Sequence, residues 1–246
     1  MTRIPHDGAP VVVGCCGFTR SRGEYYRHFR LVEIQESFYR LPRLETVQRW
    51  REQAPAGFEF TMKAWQLITH PPSSPTYRRS GLSIAPGLQD RYGFFRDSEE
   101  VRSAWERTAV LARALACRVV LLQCPASFRE CPEHVANLRS FCRNLDRGSF
   151  LLAWEPRGMW EEQTVRGLCR ELGLLHCVDP LVQTPLWGEP LYLRLHGGPG
   201  YRHRYTAEEL SRLKALVAGR PAYVLFNNLD RFDDARSFTR LLEQEP

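Results

Sequence analysis

Eight short apolar runs punctuate this chain, and their repetition constrains its fold more than any other feature: VVVG at 11, LVEIQ at 31, FEFTMKA at 58, RVVLLQ at 118, FLLAWE at 150, LLHCVD at 174, LYLRLHG at 191 and AYVLFNN at 222. Segments with apolar residues at helical spacing follow most of them, among them LETVQRWREQ, SEEVRSAWERTAVLARAL, CPEHVANLRSFCRNL, EEQTVRGLCREL, TAEELSRLKALVA and DDARSFTRLLEQ. Thr206 with Glu209 reads as a capping box, and Gly57, Gly173 and Gly219 stand where helices should stop. Strands that alternate with helices must pair in parallel, because a parallel neighbour needs a crossover. Eight such units predict one closed (β/α)8 barrel over residues 1–246, an α/β fold with its polar site at the carboxyl ends of the strands. An open doubly wound sheet is the rival, but the first turn, GCCGF, lacks the GxGxxG phosphate signature. The Pro/Ser-rich THPPSSPTYRRSGLSIAPG reads as a long loop after the third strand.

In such a barrel alternate residues of each strand face the lumen. A period of two then gives an inward set of Val13 and Cys15, Glu33 and Gln35, Thr61 and Lys63, Leu121 and Gln123, Ala153 and Glu155, Cys177 and Asp179, Arg194 and His196, and Leu225 and Asn227. Nearly every strand ends in an inward polar residue. Three buried carboxylates beside a lysine and an arginine are costly unless they are paired or functional, so the ring predicts a ligand site. Glu33 and Glu155 are the expected proton-transfer groups. Lys63 and Arg194 would stabilise developing negative charge, and His196 and Asp179 would orient substrate or shuttle protons. Gln35, Gln123 and Asn227 join the ligand-binding set, with His70 as a gate residue on the rim.

A divalent metal is the other use of such a ring, with Glu33, Glu155, Asp179 and His196 as its ligands. Lys63 and Arg194 already compensate most of the negative charge, so no cofactor is predicted and a divalent cation stays the alternative. The loop HGGPGYRHRY, with Gly198, Gly200 and Arg202 before a helix start, reads as a phosphate cradle or a plain surface turn. Cys15 facing His196 is a weaker nucleophile candidate. The eight cysteines show no zinc-ligand spacing and read as buried apolar residues.

A formal charge of +6 favours an anionic partner, either a small anion or nucleic acid. Of the 34 basic residues only Lys63 and Lys214 are lysines, which leaves 32 arginines. No apolar run suits a membrane span and the first residues lack a signal-peptide core, so a cytoplasmic location and no membrane partner are expected. Oligomeric state is not legible.

The segments VEIQESFYRLPRLETVQRWREQAPAGFEFTMKAWQLITH, QCP, WEPRG with the following W, YLRLHG and LFNN occur in order over nearly the whole chain, and with them it resembles the YecE-like family, domain-of-unknown-function family 72. The resemblance implies a TIM-type barrel. It places family motif residues at Glu33, Ser37, Phe38, Tyr39, Lys63, Thr69, His70, Glu155, Arg157, Asp179, Arg194, His196, Gly197, Asn227 and Asn228, which adds Tyr39 and Arg157 to the ligand-binding set. GCCGF replaces a motif that usually reads like GTSGW, and Gln35 stands where asparagine is common, so no role for that loop's hydroxyls or indole carries over. The resulting expectation is an enzyme running general acid/base chemistry on a small polar, anionic or phosphorylated substrate. The alternatives are a metal-dependent phosphodiesterase acting on nucleic acid and a non-catalytic ligand sensor.

Overall fold

In the computed structural model, residues 4–6 and 9–244 are described. Eight parallel strands form the barrel: β1 (Ala9–Cys16), β2 (Leu31–Ile34), β3 (Glu59–Lys63), β4 (Cys117–Gln123), β5 (Leu151–Glu155), β6 (Leu174–Val178), β7 (Leu191–Leu195) and β8 (Ala222–Phe226). Each pairs with the next, and β1 closes the cylinder against β8 through Val11–Cys15 opposite Ala222–Phe226. A short strand, Ile4–His6, runs antiparallel beside β1. Among the described residues no helix is long and apolar enough to cross a membrane.

Two apolar layers hold the barrel together. Val12, Leu31, Val119, Leu121, Ala153, Leu175, Tyr192 and Leu225 fill its interior, and a larger cluster joins the outer faces of the strands to the helices. The expected helices form at Leu44–Gln53, Glu99–Ala114, Pro132–Asn144, Glu162–Leu172, Ala207–Val217 and Arg231–Glu243. Gly173 caps its helix at φ 63°, and the Thr206–Glu209 capping box is present. Gly57 marks the turn into β3 instead, since its helix has already ended at Gln53.

The structure corrects three expectations. No helix lies between β6 and β7. That connection is fastened by its own backbone, with His176 N donating to Trp187 O at 2.9 Å and Leu186 N to His176 Nδ1 at 3.1 Å. The Pro/Ser-rich segment is a loop only in part: it contains a short helix, Pro75–Ser80, tied down by the Tyr77 hydroxyl on His70 O at 3.0 Å. Finally, β1 is one residue out of the expected phase: Val12 and Cys16 face the lumen, whereas Val13 and Cys15 belong to the outer core. VVVGCC is apolar on both faces, so alternation could not set its phase, and a one-residue slip turns every side chain over. The inward residue between them is Gly14, where a Cβ would stand 2.2 Å from Leu31 O, so only glycine fits this closely paired position.

Candidate functional site

Arg194, near the carboxyl end of β7, is the hub of the mouth and only 1% exposed. Its Nε and Nη2 donate to Glu33 Oε1 at 3.1 and 2.9 Å, and its Nη1 donates to Glu155 Oε2 at 2.6 Å and to Gln123 Oε1 at 3.4 Å. The other oxygen of Glu33 accepts from the Tyr192 hydroxyl at 2.7 Å, which also lies 2.9 Å from Thr61 Oγ1. Gln35 Nε2 and Cys16 Sγ donate to Glu33 Oε1 from the rim side. One buried guanidinium therefore bridges two buried carboxylates from opposite walls, each further hydrogen-bonded, which is the arrangement a buried charge needs to be tolerated.

Glu155 carries a second layer. Its Oε1 accepts from Arg157 Nε and Nη2 at 2.8 and 2.7 Å and from His196 Nε2 at 2.9 Å. Burial would raise this carboxyl, but Arg194, the His196 hydrogen bond and Arg157 outweigh it and hold Glu155 well below the usual carboxylate range. His196 is pushed below its ordinary value by burial, against the pull of Glu155, and Arg194 and Arg157 add to the push. Its Nε2 also lies 2.8 Å from Arg157 Nη2, and its Nδ1 lies 3.1 Å from Asn227 Nδ2. Asp179 works on the backbone: its carboxylate accepts from His196 N at 2.8 Å and Leu181 N at 3.1 Å, fixing where the histidine emerges from β7.

Lys63 stands apart from this network. Its Nζ sits 3.7 Å from the centre of the Phe38 ring, a cation–π contact, and among the described residues no carboxylate lies within ion-pair distance of it. Burial first, then Arg194, push its amine down to about 7, against the opposing fields of Glu155 and Glu33. His70 packs edge-on to the same ring at 4.9 Å, and its Nδ1 lies 2.8 Å from Thr69 Oγ1. Burial and then the Lys63 and Arg157 charges lower His70 to about 3, so it is neutral near pH 7. It is a buried wall residue, not a rim gate. Gly93 crosses directly behind it, with no room for a Cβ against His70 C and O, 2.4 Å away.

A cavity of about 620 Å³ opens at the carboxyl end of the barrel, with Glu33, Glu155, Arg157, Asp179 and His196 behind its lining and not part of it. Lys63, His70, Gln123, Arg194, Gln35, Tyr39 and Asn227 line it, as the sequence predicts, with Phe38, a motif residue of the resemblance, and with Cys16, Arg79, Tyr201 and Arg231, which the sequence did not single out. Arg79 and Arg231 had no periodic signal because both lie on connections after the strands. Cys16 was hidden by the phase error on β1. The nucleophile candidate Cys15 faces away, its Sγ 3.4 Å from Arg231 O and its thiol pushed up to about 12 by burial. Gly198, Gly200 and Arg202 are exposed and lie outside the cavity lining. The capping box at the helix start after them already satisfies Thr206 N and Glu209 N, and the Glu209 carboxylate, 2.8 Å from Thr206 N, puts a negative charge where a phosphate would sit. The expected metal set does not fit either. Among the described residues no three His, Cys, Asp or Glu side chains are placed to hold an ion, because Arg194 stands between Glu33 and Glu155 and Asp179 is turned to the backbone.

Comparison with known proteins agrees with this architecture. The family described as "Protein of unknown function DUF72" matches residues 19–246. A 47-residue stretch is 47% identical to UPF0759 protein YecE of Escherichia coli K12, covering 19% of this chain and only 17% of that protein's length. The crystal structure of a DUF72 family protein from Enterococcus faecalis V583 superposes with a TM-score of 0.72 at 22% identity, over 98% of this chain and 100% of that one. Endonuclease IV from Thermus thermophilus superposes with a TM-score of 0.54 at 15% identity, over 96% of this chain and 99% of that one, a likeness of fold.

Proposed function

This chain belongs to the DUF72 family, and we propose that it is an enzyme that binds a small anionic substrate in the barrel mouth and moves a proton to or from it on Lys63. The observation that carries the reading is the Lys63 amine: it lines the cavity, has no carboxylate in ion-pair range among the described residues, and is pushed down to about 7 by burial. A group poised at the working pH is the most effective proton carrier. Glu33 and Glu155 are committed to Arg194 and serve as positioning residues, so the proton-transfer role expected for them passes to Lys63. His196 stands behind the cavity lining, its backbone fixed by Asp179 and its Nδ1 3.1 Å from Asn227 Nδ2. Arg79 and Arg231 on the wall favour a carboxylate or phosphate on the ligand. A metal-dependent reaction on nucleic acid finds no support in the donor geometry, since the carboxylates are clamped by a guanidinium.

Sulfate, whose charge is constant over the range, tests the anion site. Lys63, its amine pushed down to about 7, titrates within that range, whereas His70, lowered to about 3, stays neutral across it. Sulfate binding measured by calorimetry should weaken at least about tenfold between pH 5.5 and 8.5 as the Lys63 charge is lost. In Lys63→Met the affinity should be low and flat. A wild-type affinity that does not change across this range would overturn the reading.

A further inference from the structure

A basic chain that writes 32 of its 34 cations as arginine keeps lysine at position 63. For holding an anion alone, arginine would serve as well or better, through its bidentate fork. What lysine offers and arginine cannot is a deprotonated amine, which is a nucleophile. The surroundings of Lys63 leave that nucleophile free. Its Nζ rests on the Phe38 face with no carboxylate in ion-pair range among the described residues, because Glu33 and Glu155 are both held by Arg194. Neutral His70 flanks the same ring, and the cavity beyond has room for a small molecule with arginines on its wall.

We propose that Lys63 condenses with an aldehyde or ketone that carries a carboxylate or phosphate, forming a transient imine in the barrel mouth. The inference rests on the anion-binding reading above and narrows it to carbonyl substrates. The neutral amine adds to the carbonyl carbon, and one proton passes from nitrogen to the carbonyl oxygen to give a carbinolamine. Protonation of that hydroxyl and loss of water leave the iminium cation. Hydrolysis by water then regenerates the amine and the carbonyl, so no oxidant or reductant is required. The iminium withdraws electrons from the adjacent carbon, the step that would ease bond-making or bond-breaking there.

The chain carries its own control. Lys214, the other lysine, donates to Leu241 O at 3.0 Å and Gln244 O at 2.9 Å, between the last two helices and outside the cavity lining. The full chain is incubated separately with glyoxylate, pyruvate and pyridoxal 5′-phosphate, each with sodium cyanoborohydride, and the adducts are located by peptide mass spectrometry. The expected result is one adduct per chain on Lys63, lost in Lys63→Arg and suppressed by excess sulfate. No adduct on Lys63 with any of the three, or labelling of Lys214 to the same extent, overturns the imine. If sulfate still binds in a pH-dependent manner in that case, the anion-site reading stands and only the covalent step falls. If sulfate binding is flat as well, both fall together.

Discussion

Arg194→Met should lower the stability of the fold by about 3–5 kcal/mol, because it removes the shared partner of a buried ion cluster. The guanidinium is 1% exposed and spans the lumen from β7 to Glu33 on β2 and Glu155 on β5. Methionine fills much of its volume and supplies none of its donors. Glu155 would keep Arg157 and His196, but Glu33 would be left with neutral donors in a fully buried site. In a chain of this size the loss corresponds to a melting temperature lower by about 6–20 °C. Glu33→Gln and Glu155→Gln added to Arg194→Met should restore part of the loss, since the orphaned charges are then gone. The wild type should carry the acid-side signature of the same cluster. The folded Glu155 carboxyl lies well below its ordinary value of 4.5, so its contribution is fully present above that pH and is lost as pH falls below it. Urea unfolding as a function of pH measures both effects. A change of less than about 1 kcal/mol on removing Arg194, a value typical of exposed pairs, would show that the cluster is not buried as described.

Lys63→Arg should separate binding from chemistry. Arginine keeps the positive charge, so sulfate affinity at pH 5.5 should stay within about threefold of the wild type, a difference of well under 1 kcal/mol. For a substrate returned by a turnover screen, kcat should fall by about 10²–10⁴-fold, the usual contribution of a positioned proton-transfer group. Losses at an iminium-forming step would be at least as large. Lys63→Met should lose both properties. Unchanged kcat in Lys63→Arg would remove Lys63 from the chemistry, whereas turnover of no member of a broad panel by the wild type would favour the sensor alternative.

Much of this arrangement was legible in the alternation of β7. Leu191, Leu193 and Leu195 meet the outer core, and Tyr192, Arg194 and His196 face inward, so that strand alone announces a polar lumen. Glu33, Lys63 and Glu155 follow by the same period on strands with a clear polar phase. Two kinds of feature could not be read. On β1 both faces are apolar, and the phase that puts Cys16 inside is fixed by pairing with Glu33 on β2, a tertiary fact. The partition of charges is set by side-chain geometry. Nothing in the spacing distinguishes Lys63, left on Phe38, from Arg194, locked between two carboxylates, or turns Asp179 to the His196 backbone. The basic loop after β7 has a composition that suits a phosphate cradle and a surface turn alike, and the spacing could not choose between them; the capping box behind it, with its carboxylate, favours the turn.

Lys63 is the titrating amine of the mouth, with no carboxylate in ion-pair range among the described residues. With only two lysines in the chain, protein labelled with ¹³C at lysine Cε gives two side-chain resonances whose shifts follow protonation. One of them should titrate with a midpoint near 7 and disappear in Lys63→Arg. Two resonances that both remain in the ammonium form up to pH 9 would contradict it.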